Sequence, residues 1–236
     1  MTALKASLSL PNVSKLSSST ASLGVNLSGD QVNQLLAYLA LIQKWNKVYN
    51  LTAIRDPAEM LTHHLLDCLA IIAPLRVRLA GLAYEQDGKN DTLASQYLYR
   101  LLDVGAGAGL PGVVIAICCP DIHVTCVDAV AKKMAFVQQV ATELKLPNLK
   151  ALHARVETLT QNYDIISSRA FATLADFVTG SQAALAPKTG VWLAMKAKDT
   201  ATEIAALPAN VDVFHVEQLT VPGLDAKRCI VWMRSK

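Results

Sequence analysis

Apolar residues at Val32, Leu35, Leu36, Leu39, Ile42 and Trp45 recur at helical intervals behind Ser28 and Gln31, which have capping-box spacing. The pattern predicts an amphipathic helix over about 30–48. Asp56, Pro57 and Glu59 form a second helix start, after which Leu61, Leu65, Leu69 and Ile72 line one face until Pro74 is expected to stop it. Residues 76–100 show no sustained period and include the polar run from Glu85 to Asp91, which reads as an exposed connector. From residue 101 onward short β-branched runs alternate with helical patterns. The strand candidates are Leu101 to Val104, Val124 to Val127, Leu149 to His153, Tyr163 to Ser167, Val191 to Met195, Val211 to Val216 and Cys229 to Met233. Helical stretches between the first five predict βαβ units and a doubly wound, mostly parallel α/β sheet. Pro222 and Gly223 separate the last two candidates, so a final hairpin should place one antiparallel strand near an edge.

Composition changes this picture little. The chain has 236 residues, 52% of them hydrophobic and 17% charged, which suits a substantial core and excludes a disordered chain. The most apolar uncharged stretch, Val104 to Pro120, contains four glycines and two prolines, which excludes a membrane span there. A net charge of +3 leaves any nucleic-acid contact to a local patch. Five cysteines form no CxxC pair, which argues against a disulfide framework or a zinc site and places the chain in a reducing cytoplasm. Residues 1–27, with the run Ser17-Ser18-Ser19-Thr20, read as a flexible extension. No long heptad pattern points to a dimer, so a monomer is expected.

Four of the chain's 11 glycines fall within Gly105-Ala106-Gly107-Ala108-Gly109-Leu110-Pro111-Gly112, directly after a strand and before a helix. Glycines there let the main chain turn tightly and approach a ligand whose polar groups meet N–H groups at the helix start. The spacing departs from the dinucleotide fingerprint, because the third glycine lies four residues after the first and position 110 is Leu. Asp103, at the end of the first strand, would repel a pyrophosphate but suits an ammonium group. Asp128, ending the second strand, stands where a carboxylate accepts hydrogen bonds from both ribose hydroxyls of an adenosine. S-adenosylmethionine carries both groups and accounts for both carboxylates.

The segment from Leu102 to Gly112 resembles the cofactor loop of class I methyltransferases, and its Leu-Pro-Gly ending is similar to that of the RsmG family of bacterial 16S rRNA guanine-N7 methyltransferases, also called glucose-inhibited division protein B. Lys44-Trp45-Asn46-Lys47-Val48-Tyr49-Asn50-Leu51-Thr52, His64 with Asp67, Arg155-Val156-Glu157 and Ser168-Arg169-Ala170-Phe171-Ala172 match the same family. The resemblance covers about residues 23–236. It implies S-adenosylmethionine-dependent methylation of N7 of one guanine, position 527, in 16S rRNA, free or in the small ribosomal subunit, by a Rossmann-like domain over 101–236 with a seven-stranded sheet. A helical segment over 28–75 would pack on that domain. It further implies cofactor contacts at Gly105, Gly107, Leu110, Val156, Glu157 and Arg169, beside Asp103 and Asp128. The first 22 residues show no counterpart in the family pattern, and the connector is longer than usual.

Guanine N7 presents a free lone pair at neutral pH, so the reaction needs placement and no general base. Arg169 is expected at the ligand edge, holding either the cofactor carboxylate or an RNA phosphate, with a surface ion pair to Asp164 or Asp176 as the alternative. Glu157 suits the adenine region and equally the charge of a helix start. Lys196, Arg155 and Lys47 are the candidates for RNA phosphates. His63 and His64 point about 100° apart on a helix and lack a third ligand, so packing is expected there and no metal. A methyltransferase acting on a small molecule or protein, and an NAD-binding module, are the competing readings.

Overall fold

The computed structural model describes residues 10–86, 98–170, 173–197 and 200–236. Its sheet runs β3-β2-β1-β4-β5-β7-β6, with β1 Tyr99–Val104, β2 Ile122–Asp128, β3 Leu149–His153, β4 Ile165–Arg169, β5 Val191–Lys196, β6 Val211–Leu219 and β7 Arg228–Ser235. The first five strands are parallel, and β7 lies antiparallel between β5 and β6. The expected hairpin thus supplies the antiparallel strand. The chain reverses its direction of travel across the sheet between β1 and β4, and at such a switch point the flanking loops part and leave a crevice. The strands of this region are apolar on both faces, as two-sided burial requires; β1 and β2 are almost wholly buried.

Among the described residues, four helical elements precede the sheet: α1 Leu10–Ser22, α2 Gly29–Tyr49, a composite α3, and α4 Ile72–Gln86. The capping box at the start of α2 is present, with Gln31 N–H donating to Ser28 Oγ and Ser28 N–H to Gln31 Oε1. Composite α3 begins at Pro57–Met60 behind an Asp56 cap, widens into a π-helical segment at Leu61–Leu66 and ends at Asp67–Leu69. After β1 come α5 Gly112–Cys118, α6 Ala131–Glu143, α7 Leu174–Ser181 and α8 Ala201–Ala205.

Three expectations are corrected. The serine-rich extension is helical from Leu10, and Leu16 is fully buried with Ser19 and Thr20 close behind it. Its hydroxyls satisfy the chain locally, Ser18 donating to the Lys15 carbonyl and Thr20 to the Ser17 carbonyl, so a polar run still supports a helix that docks by one apolar face. Pro74 does not stop a helix; it lies in the first turn of α4, where its missing N–H has no intrahelical acceptor to lose. The connector is therefore helical to Gln86, and the rest of it, 87–97, lies outside the described residues. Strand four is shifted to Ile165–Arg169, which makes Arg169 its last residue, while Tyr163 makes an isolated bridge with Leu185.

The stretch Pro57–Gly81 is also long and apolar enough to cross a membrane by length and composition, a property the sequence reading sought only at Val104 to Pro120. Its apolar window is 72% buried inside the protein, so the core already covers it.

Burial of Leu16 makes α1 part of the folded unit. Leu16→Ala should lower unfolding free energy by about 3 kcal/mol, measured by urea denaturation, with an unchanged urea dependence. A loose extension would show no change.

Candidate functional site

The loop after β1 is built around a buried carboxylate. Asp103 is 0% exposed and accepts hydrogen bonds from Gly112 N–H at 2.9 Å, through Oδ2, and from Ser167 Oγ–H of β4 at 2.9 Å, through Oδ1. It joins the far end of the glycine loop to the neighbouring strand across the switch point. Burial pushes its pKa up to about 7, against the opposing effect of these two hydrogen bonds. The expected contact between Asp103 and a ligand ammonium is thus corrected. β1 continues to Val104, so position 103 stops one residue short of the edge and its side chain is spent beneath the loop.

The glycines differ in what requires them; Gly109 combines a φ of 91° with a Cβ position crowded by Val113 and Val137. At Gly112 a Cβ would run into Cys126 Sγ and come within 2.8 Å of Asp103 Oδ2, so this glycine exists for packing over the carboxylate. Gly105 and Gly107 instead have φ of 64° and 59°, and a Cβ on Gly107 would meet only Gly105 O, at 3.9 Å. Space above Gly107 is open. Leu110 is buried and its N–H donates to the Ala106 carbonyl, so it shapes the loop from inside and its side chain lines no cleft among those found at the sheet edge. From α2, Tyr38 donates its hydroxyl to the Ala108 carbonyl at 2.7 Å in a fully buried bond.

Beside this loop a cleft of about 380 Å³ is lined by Gly105, Asp128, Lys133, Arg155, Val156 and Glu157, with neighbouring backbone. The structure therefore brings together four of the eight residues expected to hold the cofactor, Gly105, Asp128, Val156 and Glu157. Asp128 accepts from Gly107 N–H at 3.1 Å and from Val130 N–H at 2.9 Å, with Lys133 Nζ at 3.5 Å. Oδ1, with one donor, retains lone-pair capacity for another, while Oδ2 already accepts from both Gly107 N–H and Lys133 Nζ. Open space over a positive-φ glycine beside an anchored carboxylate fits an adenosine ribose and the main-chain-recognised part of S-adenosylmethionine.

Arg169 lies in a different cavity, of about 470 Å³, between α3 and the ends of β4, β5 and β7. It pairs with neither Asp164 nor Asp176. Its Nη1 donates to Asp67 Oδ2 at 3.1 Å and to the His63 carbonyl at 2.8 Å, while Arg228 Nε donates to Asp67 Oδ1 at 2.9 Å. A buried carboxylate between two guanidinium groups ties the π segment to two strand ends. Lys196 lines the same cavity and is bound to Glu203 at 2.7 Å. Lys47 is elsewhere, lining a hollow on α2 with Lys44 and Arg55. The sequence does not single out Tyr38, Glu203 or the pairing of Arg228; the signal available was the buried-facing Asp67, whose charge requires partners.

A raised pKa at Asp103 means the folded state binds its proton more tightly than the unfolded chain, whose carboxyl sits near 3.8. Its contribution is fully present below that value and is lost as pH rises through about 7. Asp103→Asn, which stays neutral and keeps an acceptor for Gly112 N–H, should gain on the natural protein by up to about 4 kcal/mol between pH 4 and 8. Urea denaturation of both proteins across that range checks this; parallel curves would contradict it.

Comparisons with known proteins agree with this architecture. The model of the GidB family, described as rRNA small subunit methyltransferase G, matches residues 31–80 and 88–231. Ribosomal RNA small subunit methyltransferase G of Albidiferax ferrireducens is 67% identical over 214 residues, 91% of this chain and 93% of that protein. The protein of the same name from Paracidovorax citrulli is 57% identical over 236 residues, 100% of this chain and 93% of its own. That alignment extends through the first 22 residues, which the family model, beginning at residue 31, does not reach. Among solved structures, a SAM dependent methyltransferase from Aquifex aeolicus superposes with a TM-score of 0.50 at 14% identity, over 75% of this chain and 98% of that one. TrmN from Thermus thermophilus gives 0.50 at 18%, over 75% of this chain and 53% of that one. These two share the class I methyltransferase fold with this protein. The family model spans most of the chain and the relatives span nearly all of it: the chain belongs to the GidB family of rRNA small subunit methyltransferases.

Proposed function

We propose that the protein transfers the methyl group of S-adenosylmethionine to N7 of a single guanine, position 527, of 16S rRNA in the small ribosomal subunit. One observation supports the division of labour. Two cavities lie on the carboxyl edge of the sheet, one on the β1–β3 side with Gly105, Asp128 and Glu157, the other on the β4–β7 side with Arg169, Lys196 and Arg228. The first suits the cofactor and the second, rich in cations, suits a nucleotide.

When bound, S-adenosylmethionine supplies a sulfonium methyl group that departs from sulfur as N7 attacks. The residues of the chain bind and orient. Asp128 accepts from the ribose hydroxyls, the Gly105–Gly107 backbone approaches the methionine portion, and Val156 and Glu157 flank the adenine. Arg155, on the rim of the same cleft, and Lys47, with Lys44 and Arg55 on α2, face RNA phosphates. The N7 lone pair needs no deprotonation, so the rate gain comes from holding it in line with the methyl carbon. Arg169, engaged by Asp67, shapes the nucleotide cavity and keeps α3 against the sheet. The cationic surroundings favour the RNA backbone, and binding should weaken as salt rises.

Small subunits from cells lacking this activity, incubated with the protein and labelled S-adenosylmethionine, should take label at N7 of one guanine, mapped by cleavage of the modified base. Label on protein alone, or on another base, would overturn the assignment. Asp128→Ala should weaken S-adenosylmethionine binding tenfold or more, as for loss of charge-assisted hydrogen bonds, measured by calorimetric titration. Unchanged affinity would remove Asp128 from the cofactor site.

A further inference from the structure

One residue lining the nucleotide cavity has a buried ring nitrogen with no hydrogen-bond partner. His64, on the π segment of α3, lines this cavity and is 4% exposed. Its Nδ1 is one of two buried side-chain polar atoms among the described residues with no hydrogen-bond partner, the other being Arg78 Nε. Such an atom costs about 1–3 kcal/mol unless something satisfies it.

The other ring nitrogen fixes what Nδ1 offers. Nε2 lies 2.9 Å from Thr52 Oγ1, and that hydroxyl already accepts from Ile54 N–H at 3.2 Å. The hydroxyl keeps its own proton, and donation of that proton to Nε2 would leave the ring proton on Nδ1. Burial, helped by the Arg169 cation, lowers the His64 pKa to about 4, so the imidazole is neutral and presents one N–H. A neutral donor adds no charge beside a base that becomes cationic on methylation.

Resting on the guanine reading above, we propose that His64 Nδ1–H donates to O6 of the target guanine and selects that base. O6 is the acceptor adjacent to N7, so a donor placed on it leaves the N7 lone pair free for the methyl carbon. Adenine presents an amino group at the same place and would set donor against donor. Glu203 lines the same cavity. Its Oε2 accepts from Lys196 Nζ and from Leu174 N–H, which hold it ionised, and it supplies the kind of acceptor that guanine N1–H and the 2-amino group require.

The test uses 16S rRNA ligated around a synthetic segment with guanine or 6-thioguanine at the methylated position, assembled into small subunits. The sulfur analogue retains N1–H and the 2-amino group and replaces only O6 with a poor acceptor. In the natural protein the analogue should lower kcat/KM about tenfold. In His64→Ala, KM for the guanine substrate should rise about tenfold while the analogue costs less than twofold, the signature of a coupled pair. His64→Asn, whose amide offers a donor near the Nδ1 position, should restore the tenfold discrimination, and S-adenosylmethionine affinity should be unchanged in both variants. Equal use of both substrates by the natural protein, full discrimination by His64→Ala, or failure of His64→Asn to restore it would overturn the proposal. The first of these decides the matter even if His64→Ala does not fold. Absence of any transfer to guanine by the natural protein would instead overturn the substrate assignment, and it is seen before any variant is made.

Discussion

The carboxylate of Asp103 holds the architecture of the ligand edge. It lies wholly inside the protein, yet it reaches both Gly112 at the start of α5 and Ser167 on β4. The glycine loop must close over it, and only a residue without a side chain at position 112 lets α5 come near enough. Gly107, in the positive-φ turn with Gly105, then faces open space while the rest of the loop is pinned from beneath. A strongly hydrogen-bonded polar group in a tight core trades stability for a unique loop geometry, and here that geometry defines the cofactor cleft.

A second buried carboxylate, Asp67, performs the corresponding task for the other cavity. Arg169 from β4 and Arg228 from β7 converge on it from two strands that are not adjacent in the sheet. Desolvating three charges contributes little net stability, whereas removing Asp67 would take the carboxylate from both guanidinium groups at once. The arrangement therefore specifies where α3 sits more than how firmly the protein folds. The π segment carries His63 and His64 into the same cavity, because the wider turn rotates the side chains that follow it relative to a regular helix.

Much of this was legible in the sequence, and the exceptions have physical causes. Strand and helix periodicity located the sheet, its antiparallel strand and α2, since burial on two faces leaves little freedom in composition. That Gly105, Asp128, Val156 and Glu157 gather at one edge was legible because strand ends and glycine spacing fix their positions there. Asp103 was misread: the pattern places a carboxylate near the strand end, but one residue of strand length decides whether it faces ligand or core. Ser17-Ser18-Ser19-Thr20 looked unstructured because propensity is local, whereas the buried Leu16, with Val13 and Leu23 packed on the core, supplies the tertiary contact that folds it. Asp67, Arg169 and Arg228 are separated by more than 50 residues along the chain, and no local rule pairs them. The tautomer of His64 depends on a threonine 12 residues away across a loop.

The buried bond from Tyr38 to the Ala108 carbonyl makes the N-terminal helices and the glycine loop a single thermodynamic unit. Coupling of this kind is reciprocal: a ligand that restrains the loop restrains α2 against local opening by the same free energy, and any event that loosens α2 weakens the grip on that ligand. Because α2 also carries Lys44 and Lys47, contact with RNA at those lysines is linked through one helix to occupancy of a cleft on the other side of the loop.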